Sequence, residues 1–76
     1  MKKKDENRVF LNALEVTLSY VETTIKMFES MNRNLKAITG KKSFSIDHLI
    51  FTLTTERELI REEIFKIRKK VEKLKR

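Results

Sequence analysis

Few residues of this chain are of the types that carry out acid–base chemistry, and their spacing keeps them apart. His48 is the only histidine, and no cysteine or serine-nucleophile motif lies near it. The paired carboxylates are Glu56 with Glu58 and Glu62 with Glu63. Residues one or two positions apart on a helix do not face each other, so these pairs indicate a solvated helix face. We therefore predict no catalytic residues and no enzyme.

Metal and cofactor chemistry has equally little support. The chain has no cysteine, a single histidine and a single glycine, which removes thiolate metal sites and Gly-rich phosphate loops. We predict no metal and no cofactor. The absence of cysteine also fits a reducing compartment, and we expect the protein to be cytoplasmic.

The sequence offers no segment for membrane insertion. No apolar run approaches the roughly 20 residues that cross a bilayer. The first residues, MKKKDENR, are basic like the start of a signal peptide, but Asn12, Glu15 and Thr17 interrupt the apolar residues after them. We expect neither a signal peptide nor an integral membrane segment.

The composition is typical of long helices. Hydrophobic residues make up 39% and charged residues 38% of the 76 residues, with one Gly and no Pro. A sheet protein of this size would need several tight turns and the residues that form them. So short a chain has little core of its own, and without disulfides or a metal the remaining way to stabilise it is self-association.

One break divides the chain into two helices. Gly40 suits the left-handed position just past a helix end. Ser43 or Ser45 suits the cap of the next helix, where Asp47 would complement the positive end of the helix dipole.

These signals set the predicted domain. We expect a single helical-hairpin domain over residues 1–76, with helix 1 at about 4–39, a turn at 40–44 and helix 2 at about 45–75. A short connection favours antiparallel neighbours. The predicted fold class is all-α: an antiparallel two-helix hairpin that self-associates into a four-helix bundle.

Both predicted helices carry a seam with a 3.5-residue repeat, typical of coiled-coil packing. In helix 1 the seam is Leu11, Leu14, Leu18, Val21, Ile25, Phe28, Asn32 and Leu35. In helix 2 it is Ile46, Ile50, Leu53, Arg57, Ile60, Ile64, Ile67, Val71 and Leu74. Each seam has one polar interruption, Asn32 or Arg57.

Local propensity conflicts with this periodicity at two places. The stretches VTLSYVETTI and FSIDHLIFTLTT are rich in β-branched and aromatic residues, which favour strands. Thr55 and Glu58 also have the spacing of a capping box, which would break helix 2 near Thr54 and Thr55. Because the seam passes through this point in register, we favour a continuous helix.

Helix 1 is too apolar to be covered by one neighbour. Apolar residues lie beside its seam on a wide arc, while its charges crowd into one strip, so a second chain or a partner is expected to cover it. Helix 2 adds a smaller apolar stripe. The predicted oligomer or partner interface comprises Phe10, Leu14, Leu18, Tyr20, Val21, Ile25, Met27, Phe28, Met31, Phe51, Leu59 and Phe65.

The two polar seam residues, Asn32 and Arg57, are predicted to set specificity more than stability. A polar residue in a seam often fixes register or oligomeric state. For Arg57 two arrangements remain open: an ion pair with Glu29 across the hairpin, or a guanidinium that reaches solvent along its aliphatic stem.

An antiparallel hairpin brings both termini to one end, which is strongly basic. The residues predicted to contact a polyanion there are Lys2, Lys3, Lys4, Arg68, Lys69, Lys70, Lys73, Lys75 and Arg76. No aromatic residue interrupts the basic run at the end of the chain, and no nucleic-acid-binding motif is present.

The sequence predicts two alternative functions. The first is a small non-enzymatic protein-binding or regulatory module that acts through helix–helix contacts, forms a homodimer and offers apolar helix faces to another protein. The alternative is a homodimer that binds nucleic acid through phosphate contacts at its basic end. Peripheral attachment to an anionic membrane is a third interpretation.

Overall fold

Two long helices make up almost all of the described chain. The computed structural model describes the backbone of residues 3–75 and the side chains of residues 5–73. Helix α1 spans Lys3–Thr39 and helix α2 spans Phe44–Lys75, and these residues include no strand. The helices pack against each other, which confirms the predicted all-α hairpin. Each begins one residue earlier than predicted.

Helix α1 ends because Gly40 leaves the helical conformation. Its φ is +81°, in the left-handed region where a side chain is unfavourable. The N–H of Gly40 still donates to the carbonyl of Lys36 at 2.8 Å, so the last turn closes before the chain reverses.

Helix α2 begins at a cap formed by Ser43. The Ile46 N–H donates to Ser43 Oγ at 3.2 Å, and the Asp47 N–H donates to the Ser43 carbonyl at 3.0 Å. Of the two candidate caps, Ser43 rather than Ser45 has this role, and its side chain satisfies a backbone donor that the helix cannot.

Helix α2 is continuous through the threonines where a break was considered. The hydroxyl of Thr54 donates to the Ile50 carbonyl at 2.8 Å, and that of Thr55 to the Phe51 carbonyl at 3.1 Å. A threonine that bonds back to the preceding turn is a residue inside a helix. Thr55 therefore forms no capping box with Glu58, and both strand-like stretches are helical within α1 and α2.

The two predicted seams meet at the α1–α2 contact. Every seam residue with a described side chain is buried or half-buried; Leu74 lies outside that range. Within the same range, buried apolar side chains are nevertheless scarce: Ile25, Ile64 and Ile67, each 5% exposed. The hairpin therefore has a line of contact rather than a three-dimensional core.

The hairpin is a rod with an unusually large surface. It measures 57 × 15 × 15 Å and has a radius of gyration of 17.3 Å, against about 11 Å for a compact domain of this length. Its accessible area is 6278 Å², whereas a folded monomer of its mass exposes about 4,900 Å². Over the described residues, neither helix carries an apolar stretch of the length that crosses a membrane.

Candidate interaction surfaces

A polar network fixes the loop end of the hairpin. Asn32, on the α1 seam, is 3% exposed. Its amide nitrogen donates to Asp47 Oδ1 at 2.7 Å, and its amide oxygen accepts the N–H of Ser43 at 3.1 Å. One side chain of α1 thus holds the first turn of α2, through both its donor and its acceptor.

Sequence reasoning found Asn32 but not its partners. The seam predicted that Asn32 faces α2, and the dipole argument placed Asp47 in the first turn of α2. What was missed is that an antiparallel hairpin with a short connection brings these two positions together. The network gives Asn32 a stabilising role in addition to the predicted role in specificity.

Arg57 does not pair with Glu29 among the described side chains. Its Nε lies 3.4 Å from Glu58 Oε1, close enough for an ion pair. The same Nε is buried and has no hydrogen bond to any described residue, because the carboxylate is close but not aligned with the N–H. With its side chain 28% exposed, Arg57 is half-buried in the seam, and its guanidinium lies beside Glu58 of its own helix rather than Glu29 of α1.

Two ion pairs join the helices along one flank, which we call the ion-pair flank. Arg61 contacts Glu22 at 3.0 Å, and Arg68 contacts Glu15 at 3.6 Å. The pairs are one heptad apart on each helix, which defines the antiparallel alignment. Exposed pairs of this kind contribute about 0–1 kcal/mol each, so they supply little of the stability.

Helix α1 carries a long exposed apolar surface on the sides that face away from α2 and from the ion-pair flank. We call this surface the α1 apolar face. It comprises Val9, Phe10, Val16, Tyr20, Met27, Met31 and Ile38. Tyr20 is 71% exposed and Ile38 is 83% exposed. Scattered apolar residues are normal on a protein surface, but a continuous apolar strip marks an interaction site.

The predicted interface residues divide into two groups. Five of them lie in the α1–α2 contact, where α2 already covers them: Leu14, Leu18, Val21, Ile25 and Phe28. The other seven are exposed: Phe10, Tyr20, Met27, Met31, Phe51, Leu59 and Phe65. Only this second group is free to meet a further chain.

Helix α2 has its own exposed apolar residues, the α2 stripe. They are Phe44, Phe51, Leu59 and Phe65, between 52% and 87% exposed. Phe65 borders the groove that contains Glu15 and Arg68, so this part of the stripe lies on the ion-pair flank. The α1 apolar face and the α2 stripe are therefore separate surfaces.

The basic end carries a one-sided row of lysines, the basic stripe. Its members are Lys66, Lys69, Lys70 and Lys73, all exposed. Their spacing of three, four and seven residues places them on one face of α2. Lys69 Nζ lies 4.6 Å from the centre of the Phe65 ring. An exposed aromatic ring therefore adjoins the basic residues, although no aromatic residue lies among them in the sequence.

Several predicted polyanion contacts cannot be placed. Lys2, Lys3, Lys4, Lys75 and Arg76 lie outside the described side chains. Of the predicted set, Arg68, Lys69, Lys70 and Lys73 are described. Arg68 pairs with Glu15 on α1 and Lys66 pairs with Glu63 on α2, and the side chains of both remain exposed.

The remaining ionisable side chains include types that can bind metal ions. Among the described side chains, no three His, Cys, Asp or Glu residues cluster closely enough to hold a metal ion. His48 is exposed on α2.

Comparison with known proteins yields no match: no family model, no curated protein and no solved structure is significantly similar to this chain. The chain is an α-helical hairpin.

We expect Asn32→Leu to lower the free energy of unfolding by about 1–3 kcal/mol, because it strands the Ser43 N–H and the Asp47 carboxylate. Urea denaturation at a fixed protein concentration measures this. Asn12→Leu, at an exposed position of α1, is the matched control and should change stability far less. An Asn32→Leu variant as stable as wild type would show that the network contributes specificity alone.

Arg57→Leu should change the free energy of unfolding in the opposite direction. Leucine keeps the apolar packing of the seam and removes a buried Nε that lacks a hydrogen bond, so the free energy of unfolding should rise by about 1 kcal/mol. Sedimentation of the same variant tests whether the oligomeric state becomes less uniform. Arg61→Leu, which removes an exposed cross-helix pair, is the control. A loss of several kcal/mol for Arg57→Leu would reveal a hydrogen-bond network that includes Arg57.

Proposed function

We propose that this protein is a small non-enzymatic interaction module of the cytoplasm, which self-associates through the α1 apolar face into a four-helix bundle. It acts on other proteins through helix–helix contacts. The observation that carries the proposal is the α1 apolar face, which runs along α1 and which α2 does not cover.

The size of the exposed surface supports association. The hairpin exposes 6278 Å², about 1,400 Å² more than a compact monomer of its mass. A stable protein interface buries about 800 Å² on each partner. Covering the α1 apolar face with a second hairpin through an interface of this size would remove a little over half of the excess exposed area per chain.

Light scattering or sedimentation at micromolar concentration tests this proposal. The chain mass is 9.1 kDa, and we expect a particle of twice that mass. Tyr20→Glu with Met27→Glu places two charges on the α1 apolar face and should give monomers that are partly unfolded, because folding and association are linked. Thr52→Glu with Thr55→Glu adds the same charge to the exposed surface of α2 and should remain dimeric. A wild-type monomer that unfolds cooperatively would refute the proposal.

The basic stripe favours a second candidate, nucleic-acid binding. Four exposed lysines on one helix face can follow a row of phosphates, and the net charge of +7 attracts polyanions. Phe65 adds an exposed ring beside Lys69 on which a base could stack. Most of the affinity would come from phosphate contacts, with weak sequence preference and steep salt dependence.

Titration of labelled single-stranded RNA and duplex DNA at several salt concentrations tests this candidate. Lys69→Gln with Lys73→Gln should weaken binding and, for single strands, reduce the slope of log K against log salt by about 1.4. Lys26→Gln with Lys36→Gln removes the same charge from α1 and should leave the slope nearly unchanged. An absence of binding at low salt would dismiss the candidate, and binding to anionic vesicles alone would assign the basic stripe to membranes.

A further inference from the structure

The residues of the α1 apolar face follow a repeat that differs from the seven-residue repeat of the seam. Six of its seven residues fall into two series with a spacing of eleven: Val9, Tyr20 and Met31, and Val16, Met27 and Ile38. Eleven residues are three turns at 3.67 residues per turn, close to the 3.6 of a straight helix. At 3.6 residues per turn all six lie within about 30° of one straight line along α1. We call this line the α1 stripe.

The α1 stripe is also symmetric end to end. Val9 with Ile38, Val16 with Met31, and Tyr20 with Met27 are three pairs centred on the peptide bond between Thr23 and Thr24. Ala13 and Asn34 lie on the same line and form a fourth pair about the same centre. A second α1 in the opposite direction can therefore overlap the α1 stripe along its whole length.

The surroundings of the α1 stripe suit burial. Its immediate neighbours within the span are uncharged: Asn12, Thr17, Ser19, Thr23, Thr24 and Ser30. The core of a protein interface is poor in charged residues because their desolvation is unfavourable. The residues at the centre, Thr23 and Thr24, are short, so two helices can approach closely there.

From this pattern we infer that a second copy of the chain packs antiparallel along α1, with a two-fold axis between Thr23 and Thr24. The inference rests on the proposed self-association and specifies its geometry. In a two-fold interface each contact occurs twice. Tyr20 meets Met27 of the partner subunit, a sulfur–aromatic contact, and Val16 meets Met31 of the partner subunit. A parallel pairing would instead set Tyr20 against Tyr20 of the partner subunit.

This geometry determines which helices are central. At the middle of α1, the α1 stripe lies about 130° around the helix from the seam that contacts α2. Helix α1 thus has neighbours on nearly opposite sides. The four helices of the dimer then form a flattened bundle, with the two copies of α1 in the middle and each α2 outside, where its basic stripe faces solvent.

Distance measurement between spin labels tests the arrangement, since a chain without cysteine accepts a label at any single engineered site. Lys26→Cys and Arg33→Cys are exposed positions one heptad apart on the same side of α1, away from the α1 stripe. An antiparallel pair places the two Arg33→Cys labels about 29 Å apart along the rod and the two Lys26→Cys labels about 8 Å apart. Sideways displacement is similar for both, so the difference of about 20 Å is the signature.

The outcomes separate this inference from the proposed function. Light scattering on the labelled proteins first establishes whether they are dimers. Dimers with the long and the short distance support the antiparallel α1 pair. Dimers in which both labels give the same distance, or no measurable distance, overturn it and leave self-association intact. Labelled and unlabelled proteins that are all monomers overturn both.

Discussion

Two helices that pack only against each other can share only one line of contact. Among the described side chains, three apolar ones are buried in the hairpin, and small domains with so little core are marginally stable. The other large apolar side chains in that range are half-covered or exposed. The surfaces that remain on α1 and α2 result from this shortage, because a helix that is apolar on more than one side needs more than one neighbour.

An apolar seam holds two helices together but does not by itself fix their alignment. Aliphatic residues repeated every heptad can be exchanged by a slip of seven residues with little loss of packing. Polar contacts remove this ambiguity. A slip would take Asn32 away from Ser43 and Asp47 and leave its amide buried without partners, an unfavourable state. The cross-helix ion pairs do not exclude this slip, because it would bring Arg61 to Glu29 and Arg68 to Glu22.

The sequence was sufficient for the features that depend on local chemistry or periodicity. Gly40 and Ser43 mark the helix ends, and the seams predicted which side chains face each other. Side-chain rotamers and contacts between residues distant in the chain could not be predicted from the sequence. The helix alignment permitted an ion pair between Arg57 and Glu29, but the Arg57 side chain lies beside Glu58. The contact between Phe65 and Lys69 could have been predicted, because residues four apart on a helix are neighbours on its surface. The eleven-residue spacing of the exposed apolar residues of α1 was not recognised, because a seven-residue repeat assigns those residues to several different heptad positions.

The two proposed surfaces are compatible because they belong to different helices. Association through α1 leaves the basic stripe of α2 in solvent, so a dimer presents two such stripes. With the ion pairs setting the level of α2 against α1, an antiparallel α1 pair would place the stripe centres about 30 Å apart along the rod. That distance exceeds the Debye length at physiological salt, about 8 Å, so the stripes repel each other little. A polyanion long enough to reach both would gain from the second contact without any new residue, so the proposed self-association would strengthen the proposed polyanion binding.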